Sequence, residues 1–276
     1  MKGLKPLSIL RVIVLVLFFM FMFLPIFWMI LTSFKPVDEI VTMPLKYLPN
    51  KFTFVNYIKL FTGTEFPNYF KNSMIVSVSC GIFTSIIAIF AGYSLARFKF
   101  KGKSITLFMF LSVQMVPIVV IIIPLFLIFA KINLINTLEG LALIYVVLNI
   151  PFCTLMIRGF FERIPVALEE AAMVDGCSRF GALIRIILPV MLPGIVATFV
   201  FAFIGAWNEL FFSIMFINTE SIKTLPVGIY SFIGKFEIDW GSMSAAAVLA
   251  LIPVFVMFGM IQKYLVQGLT SGSVKG

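Results

Sequence analysis

Residues 165–189, PVALEEAAMVDGCSRFGALIRIILP, form the stretch whose reading decides the fold. Pro165 suits the first position of a helix, where its missing N–H leaves no bond unmade. Residues 166–175 then bring strong helix formers, among them Leu168, Glu169, Glu170, Ala171, Ala172 and Met173. Gly176 stands where a helix closes on a left-handed residue. Ser178 can cap a second helix, predicted to run through Ile187 and to end as the chain meets Pro189. Charge says what the first helix faces. Residues 162–176 carry Glu162, Glu169, Glu170 and Asp175 against Arg163 alone. Helices that lie on lipid attract anionic head groups with Lys and Arg, so an acidic helix points to a groove on a protein partner. A short helix held at an elbow can be pushed by that partner and pass the motion to the adjoining apolar run.

Working outward, the rest of the chain is apolar. Of 276 residues, 61% are hydrophobic and only 12% charged, with a mean hydropathy of +1.12. Globular domains carry about 25% charged residues, so this composition specifies a polytopic membrane protein. Six apolar stretches are free of charge: 12–34, 72–96, 104–130, 140–157, 186–208 and 241–262. A helix needs about 20 residues to cross a hydrocarbon core of about 30 Å, and each stretch reaches or approaches that. Only helices and closed barrels satisfy every backbone group in lipid, and these runs lack the alternation of barrel strands. The predicted class is all-α with six transmembrane helices. The first run is too long for a signal-peptide core and no A-x-A-like site follows it, so it is expected to stay as a span. Prolines 25, 117, 124, 151, 193 and 253 fall within the runs, where they free carbonyls and can kink helices.

Six spans put both termini on one side. That side holds Lys2, Lys5, Arg11, Arg97, Lys99, Lys101, Lys103, Arg158, Arg163, Arg179, Arg185, Lys263 and Lys275, 13 cations against 8 on the other. The imbalance predicts cytoplasmic termini, with the short loop 97–103 the strongest contributor. The formal charge of +9 is thereby a topology signal and predicts no nucleic-acid partner. The chain has no histidine, and Cys80, Cys153 and Cys177 are scattered, so no metal site or disulfide framework is expected. The organisation expected is an N-terminal tail, first span and first external loop over 1–68, a core of five helices over 69–264 with a cytoplasmic coupling segment at 158–188, and a tail over 265–276.

The spacing in the opening stretch carries a resemblance. Glu170-Ala171-Ala172, three residues, Gly176, nine residues, Ile186, one residue and Leu188-Pro189 resemble the EAA loop of binding-protein-dependent ABC importer permeases at each defined position. Asp175 before the glycine fits as well. Ser33-Phe34-Lys35-Pro36, Asn72-Ser73, Gly92-Tyr93-Ser94-Leu95-Ala96-Arg97-Phe98, Trp207-Asn208-Glu209 and the tail 268–276 resemble the carbohydrate branch, in particular the smaller permease of maltose-type importers. The resemblance implies the type I ABC importer permease fold in a bacterial or archaeal cell membrane. It implies a second homologous permease, an ATPase dimer that binds ATP and Mg, an extracytoplasmic solute-binding protein, and a sugar or related polyol as cargo. In that setting Glu169, Glu170, Ala171, Ala172, Asp175, Gly176, Leu188 and Pro189 would couple to the ATPase. Leu269, Thr270, Gly272 and Lys275 would form a second contact with it. No cofactor is expected in this chain.

Asn208 and Glu209 are the strongest polar candidates inside an apolar run, and intramembrane ionisable groups default to a functional role. They are expected to line the path or its outer gate, an interfacial position being the other reading; Gln114 and Asn149 are further path candidates. Gly102-Lys103-Ser104 resembles the end of a phosphate-binding loop, yet Arg97 stands where its first glycine is required. The chain is therefore expected not to be an enzyme. An ion-coupled secondary carrier is the alternative, and it would need buried titratable groups and inverted repeats that the sequence does not display.

Overall fold

The structure is a computed structural model describing residues 6–234 and 237–272, with side chains over 10–234 and 237–262. Its elements in order are α1 (Pro6–Ser33), α2 (Val37–Ile40), α3 (Val55–Gly63), α4 (Phe66–Arg97), α5 (Lys103–Gln114), α6 (Ile118–Lys131), α7 (Leu138–Arg163) and α8 (Val166–Val174). There follow α9 (Arg179–Ala182), a π-helical turn (Leu183–Ile187), α10 (Leu188–Val190), α11 (Leu192–Trp207), α12 (Phe211–Phe216), a 3-10 turn (Glu220–Ile222), α13 (Leu225–Tyr230) and α14 (Trp240–Gly272). The chain is all-α, as its composition predicts.

Among the described residues, four helices are long and apolar enough to cross a membrane singly: Leu10–Ser33, Phe66–Arg97, Leu138–Arg163 and Trp240–Gln262. The other two predicted spans are not single rods. Lys103–Gln114 and Ile118–Lys131 meet at 103°, and Arg179–Val190 and Leu192–Trp207 at 78°; counted as one span each, they bring the total to six. The first bend has a local cause. Pro117 offers no N–H and disfavours helical backbone at Val116, and its own ψ of 133° is extended. At the second, Met191 leaves helical ψ and Pro193 enters the first turn of α11. Pro25, Pro124, Pro151 and Pro253 all lie inside helices. Only some of the predicted kinks therefore become bends.

The described residues divide into two compact units, one built from residues 1–67 and 228–252 and the other from 68–227 and 253–276. In the first, Lys35 is almost fully buried. Its Nζ donates to the Lys46 carbonyl at 2.7 Å and lies 4.3 Å from the centre of the Trp28 ring. Asn56 donates to the carbonyls of Ser33 at 3.0 Å and Lys35 at 2.8 Å, so the chain leaving α1 is fastened to α3. Glu39 accepts from the backbone N–H and the side chain of Asn50, which hold its carboxyl below the ordinary range. Burial works to raise the Asp239 carboxyl, but bonds from Lys59 at 2.7 Å and Ser242 outweigh it and lower it.

The second unit packs α4, α7 and α11 through Val76, Cys80, Ile144, Tyr145, Ile157 and Ala202, all buried. Glycines set the closest approaches. A Cβ on Gly92 would meet Ile157 Cγ2 at 2.5 Å, pressing α4 against α7, and one on Gly194 would meet the Phe160 ring at 2.6 Å. At one end, Asn136 takes left-handed backbone (φ +60°) and its Oδ1 accepts from the N–H groups of Asn218 and Thr219. Nearby, Asn72 donates to the carbonyls of Ser221 and Lys223. Lys223 and Tyr69 both donate to Glu220 and hold its carboxyl below the ordinary range.

Candidate functional site

The opening stretch folds as helix, elbow, helix. Pro165, with φ −57° and ψ 133°, occupies the N-cap position of α8 without a side-chain capping bond, one position before the predicted first turn. Gly176 adopts φ +86°, the left-handed value its position requires. Ser178 accepts from the Gly181 N–H at 3.1 Å and so caps the second helix. That helix does not stop at Pro189. Pro189 cannot donate to the carbonyl four residues back, and the ladder shifts to π geometry over Leu183–Ile187. There the Leu188 N–H bonds the Leu183 carbonyl, five residues back. The helix continues through Val190 and breaks at Met191.

With 3.6 residues per turn, successive α8 side chains point about 100° apart, and the predicted coupling residues divide accordingly. Glu170, Ala171, Asp175, Gly176 and Pro189 are exposed, while Leu188 is half-buried. Glu169 and Ala172 are buried. The resemblance places both among the residues that would couple to the ATPase; the structure turns them inward because they occupy the face α8 lays on its own unit. Glu169 Oε1 accepts from Arg97 Nε at 2.5 Å and its Oε2 from the Tyr93 hydroxyl at 3.1 Å. Arg97 also donates to the Ile164 carbonyl at 2.9 Å. In the sequence Arg97 counts as a charge of the 97–103 loop and as part of the resembling stretch Gly92–Phe98, with no partner assigned to it. The run Gly92–Phe98 is the available signal for its role, since a tyrosine and the one arginine of α4 stand together at its end.

The path candidates also divide. Gln114, Asn149 and Asn208 line a cavity of about 410 Å³ with Leu148, Phe152, Phe201, Ile204 and Gly205. Asn149 donates to the Tyr145 carbonyl at 2.8 Å, and Gly205 leaves room for its amide, since a Cβ there would sit 3.0 Å from Asn149 Oδ1. The Phe152 and Phe201 rings lie 4.6 Å apart. Glu209 is not among the lining residues. Its carboxylate accepts from the Tyr145 hydroxyl at 2.6 Å and from the Phe212 and Ser213 N–H groups at 3.0–3.3 Å. It thus caps α12 and ties it to α7. Leu269, Thr270 and Gly272 fall in α14 beyond the last described side chain, and Lys275 lies outside the described residues. Gly102, with φ +94°, opens α5 directly, without the strand that a phosphate-binding loop follows. Among the described residues no three His, Cys, Asp or Glu side chains group as a metal site would require.

Residues 84–271 match the family described as "Binding-protein-dependent transport system inner membrane component". This chain belongs to that family. It is the permease component of an ABC importer, with the ATPase on separate subunits. The permease is 36% identical to the trehalose/maltose transport system permease protein MalG of Thermococcus litoralis, across 91% of each chain. It is 37% identical to the diacetylchitobiose uptake system permease protein DasC of Streptomyces coelicolor, across 95% of each. With the sulfoquinovosyl glycerol transport system permease protein SmoH of Agrobacterium fabrum it shares 37% identity over 91% of this chain and 88% of that one. Its fold matches that of a bacterial ABC transporter involved in import of the acidic polysaccharide alginate, with a TM-score of 0.81 at 19% identity over 96% of this chain and 99% of that one.

Proposed function

We propose that this permease is one of two homologous subunits that together form the path of an ATP-driven importer for an uncharged di- or oligosaccharide or related polyol. The observation that carries the reading is α8: an exposed face bearing Glu170, Ala171 and Asp175, on a helix whose other face is anchored within its own unit. An exposed carboxylate beside an alanine suits a cationic groove on a separate ATPase, which binds ATP and Mg. Leu269, Thr270, Gly272 and Lys275 form the second contact with it. Both termini lie in the cytoplasm, and a solute-binding protein delivers cargo from the other side. The cavity bears on the cargo. Three amides and two phenylalanine rings provide hydrogen bonds and flat apolar faces for a sugar ring. Its lining has no charged side chain, so a charged cargo would be desolvated there without a counter-ion from this chain. Glu170→Lys tests the reading. At unchanged membrane abundance it abolishes both co-purification of the ATPase and uptake of radiolabelled di- and oligosaccharides; retention of both would sink it. Competition by anionic sugars as strong as by neutral ones would overturn the cargo assignment.

A further inference from the structure

We propose that Glu169, Arg97 and Tyr93 form a clasp that makes α8 and the end of α4 move as one body, so that a push delivered to α8 reaches the α4 span. The role rests on α8 docking to an ATPase, as proposed above. The two adjacent acids of α8 then divide the work: Glu170 faces the partner and Glu169 holds the helix.

The clasp draws on three elements. Arg97 closes α4, Glu169 lies on α8, and the Ile164 carbonyl that Arg97 also engages is at the end of α7. The Arg97 and Glu169 side chains are 7% and 6% exposed, so the pair lies out of water. Both oxygens of Glu169 are used, one by Arg97 and one by Tyr93. Tyr93 is itself held, its ring packing on Phe161 at 5.4 Å and Phe98 at 5.8 Å. Gly92 alongside lets the α4 backbone press on Thr154 and Ile157 of α7.

Two physical arguments separate this from ordinary packing. Parting a buried ion pair leaves each charge uncompensated, so the contact resists opening far more steeply than apolar surfaces that can slide. Apolar residues would also have served stability alone at least as well, whereas a charge pair fixes register. Only one rotational setting of α8 brings Glu169 to Arg97, and that setting turns Glu170 and Ala171 outward. Arg97 and Glu169 are positioning residues; neither needs to touch ATP or cargo.

The test uses the full importer, co-expressed and placed in nanodiscs, with spin labels introduced as non-natural amino acids at Val174 on α8 and Lys99 just beyond α4. Both positions are exposed. The clasp predicts one narrow distance distribution, the same without nucleotide and after trapping with ATP and vanadate. Glu169→Gln broadens it and makes it shift on trapping, while the ATPase still co-purifies. The exchanged pair R97E/E169R restores a narrow, nucleotide-independent distance. A shift in the unmutated importer overturns the clasp without requiring any variant to fold. A distance that stays narrow in both states for Glu169→Gln overturns it too, leaving the pair as a structural anchor. Failure of the unmutated permease to capture an ATPase overturns the importer reading, and the coupling role with it. Capture together with a shifting distance overturns the clasp alone.

Discussion

Adjacent carboxylates on one short helix turn to opposite sides, Glu169 buried and Glu170 exposed, and a sequence shows only half of that division. The acidic balance of residues 162–176 is the signal on which α8 is proposed as a docking helix. Which of Glu169 and Glu170 turns inward depends on an arginine 72 residues earlier, which no local pattern supplies. Lys35 was legible as a loop charge, but its burial beneath Trp28 was not, because the covering residues arrive through a fold in the chain. Three of the four path candidates do share one cavity, since amides in apolar helices find few other surroundings. Glu209 departs from them: Tyr145 and two backbone N–H groups draw its carboxylate into the protein. Glu209→Ala should therefore act on stability, costing about 2 kcal/mol through donors left unpaired, as measured by a thermal melt in detergent. Asn208→Ala should leave the melt unchanged and reduce sugar uptake at equal membrane abundance. The opposite pattern for the two variants would exchange their assignments.

Elements follow the same division between what is local and what is not. Glycine at 176 and serine at 178 specify elbow and cap through chemistry confined to a few residues, and both appear where expected. Gly176→Ala should cost about 1–2 kcal/mol, the penalty for a Cβ in left-handed backbone. Circular dichroism melts check this, and Gly176→Asn should be milder. Gly140→Ala should be far worse. A Cβ there would stand 1.9 Å from the Leu134 carbonyl oxygen, a backbone atom that cannot step aside, so folded yield on size-exclusion chromatography should collapse. The bends were less legible. Six prolines within apolar runs look alike in sequence, and only those joined by a local loss of helical backbone break the rod. Pro189 shows a third outcome, a π-helical turn that absorbs the missing bond while the helix goes on.

For the whole molecule, composition and run length specify the class and count of spans, because a bilayer imposes one length on every helix. That residues 228–252 join 1–67 in one unit was not legible, since the two segments lie far apart along the chain. Acid should disturb both units. Glu39, Glu220 and Asp239 are held below their ordinary values of 4.5, 4.5 and 3.8. A lowered native value means stability present above the ordinary value and lost as pH falls through the native one. The melting midpoint should thus be level above about pH 5 and fall below about pH 4, by differential scanning fluorimetry; a midpoint rising on acidification would contradict this. The clasp has a consequence for biosynthesis. Arg97 is made 72 residues before Glu169. At about 5–20 residues per second it waits roughly 4–14 s for its partner, while α5, α6 and α7 are still being synthesised. Its one guanidinium therefore sets an order of assembly: α4 can be inserted early, but Arg97 can be paired with Glu169 only after α8 has left the ribosome.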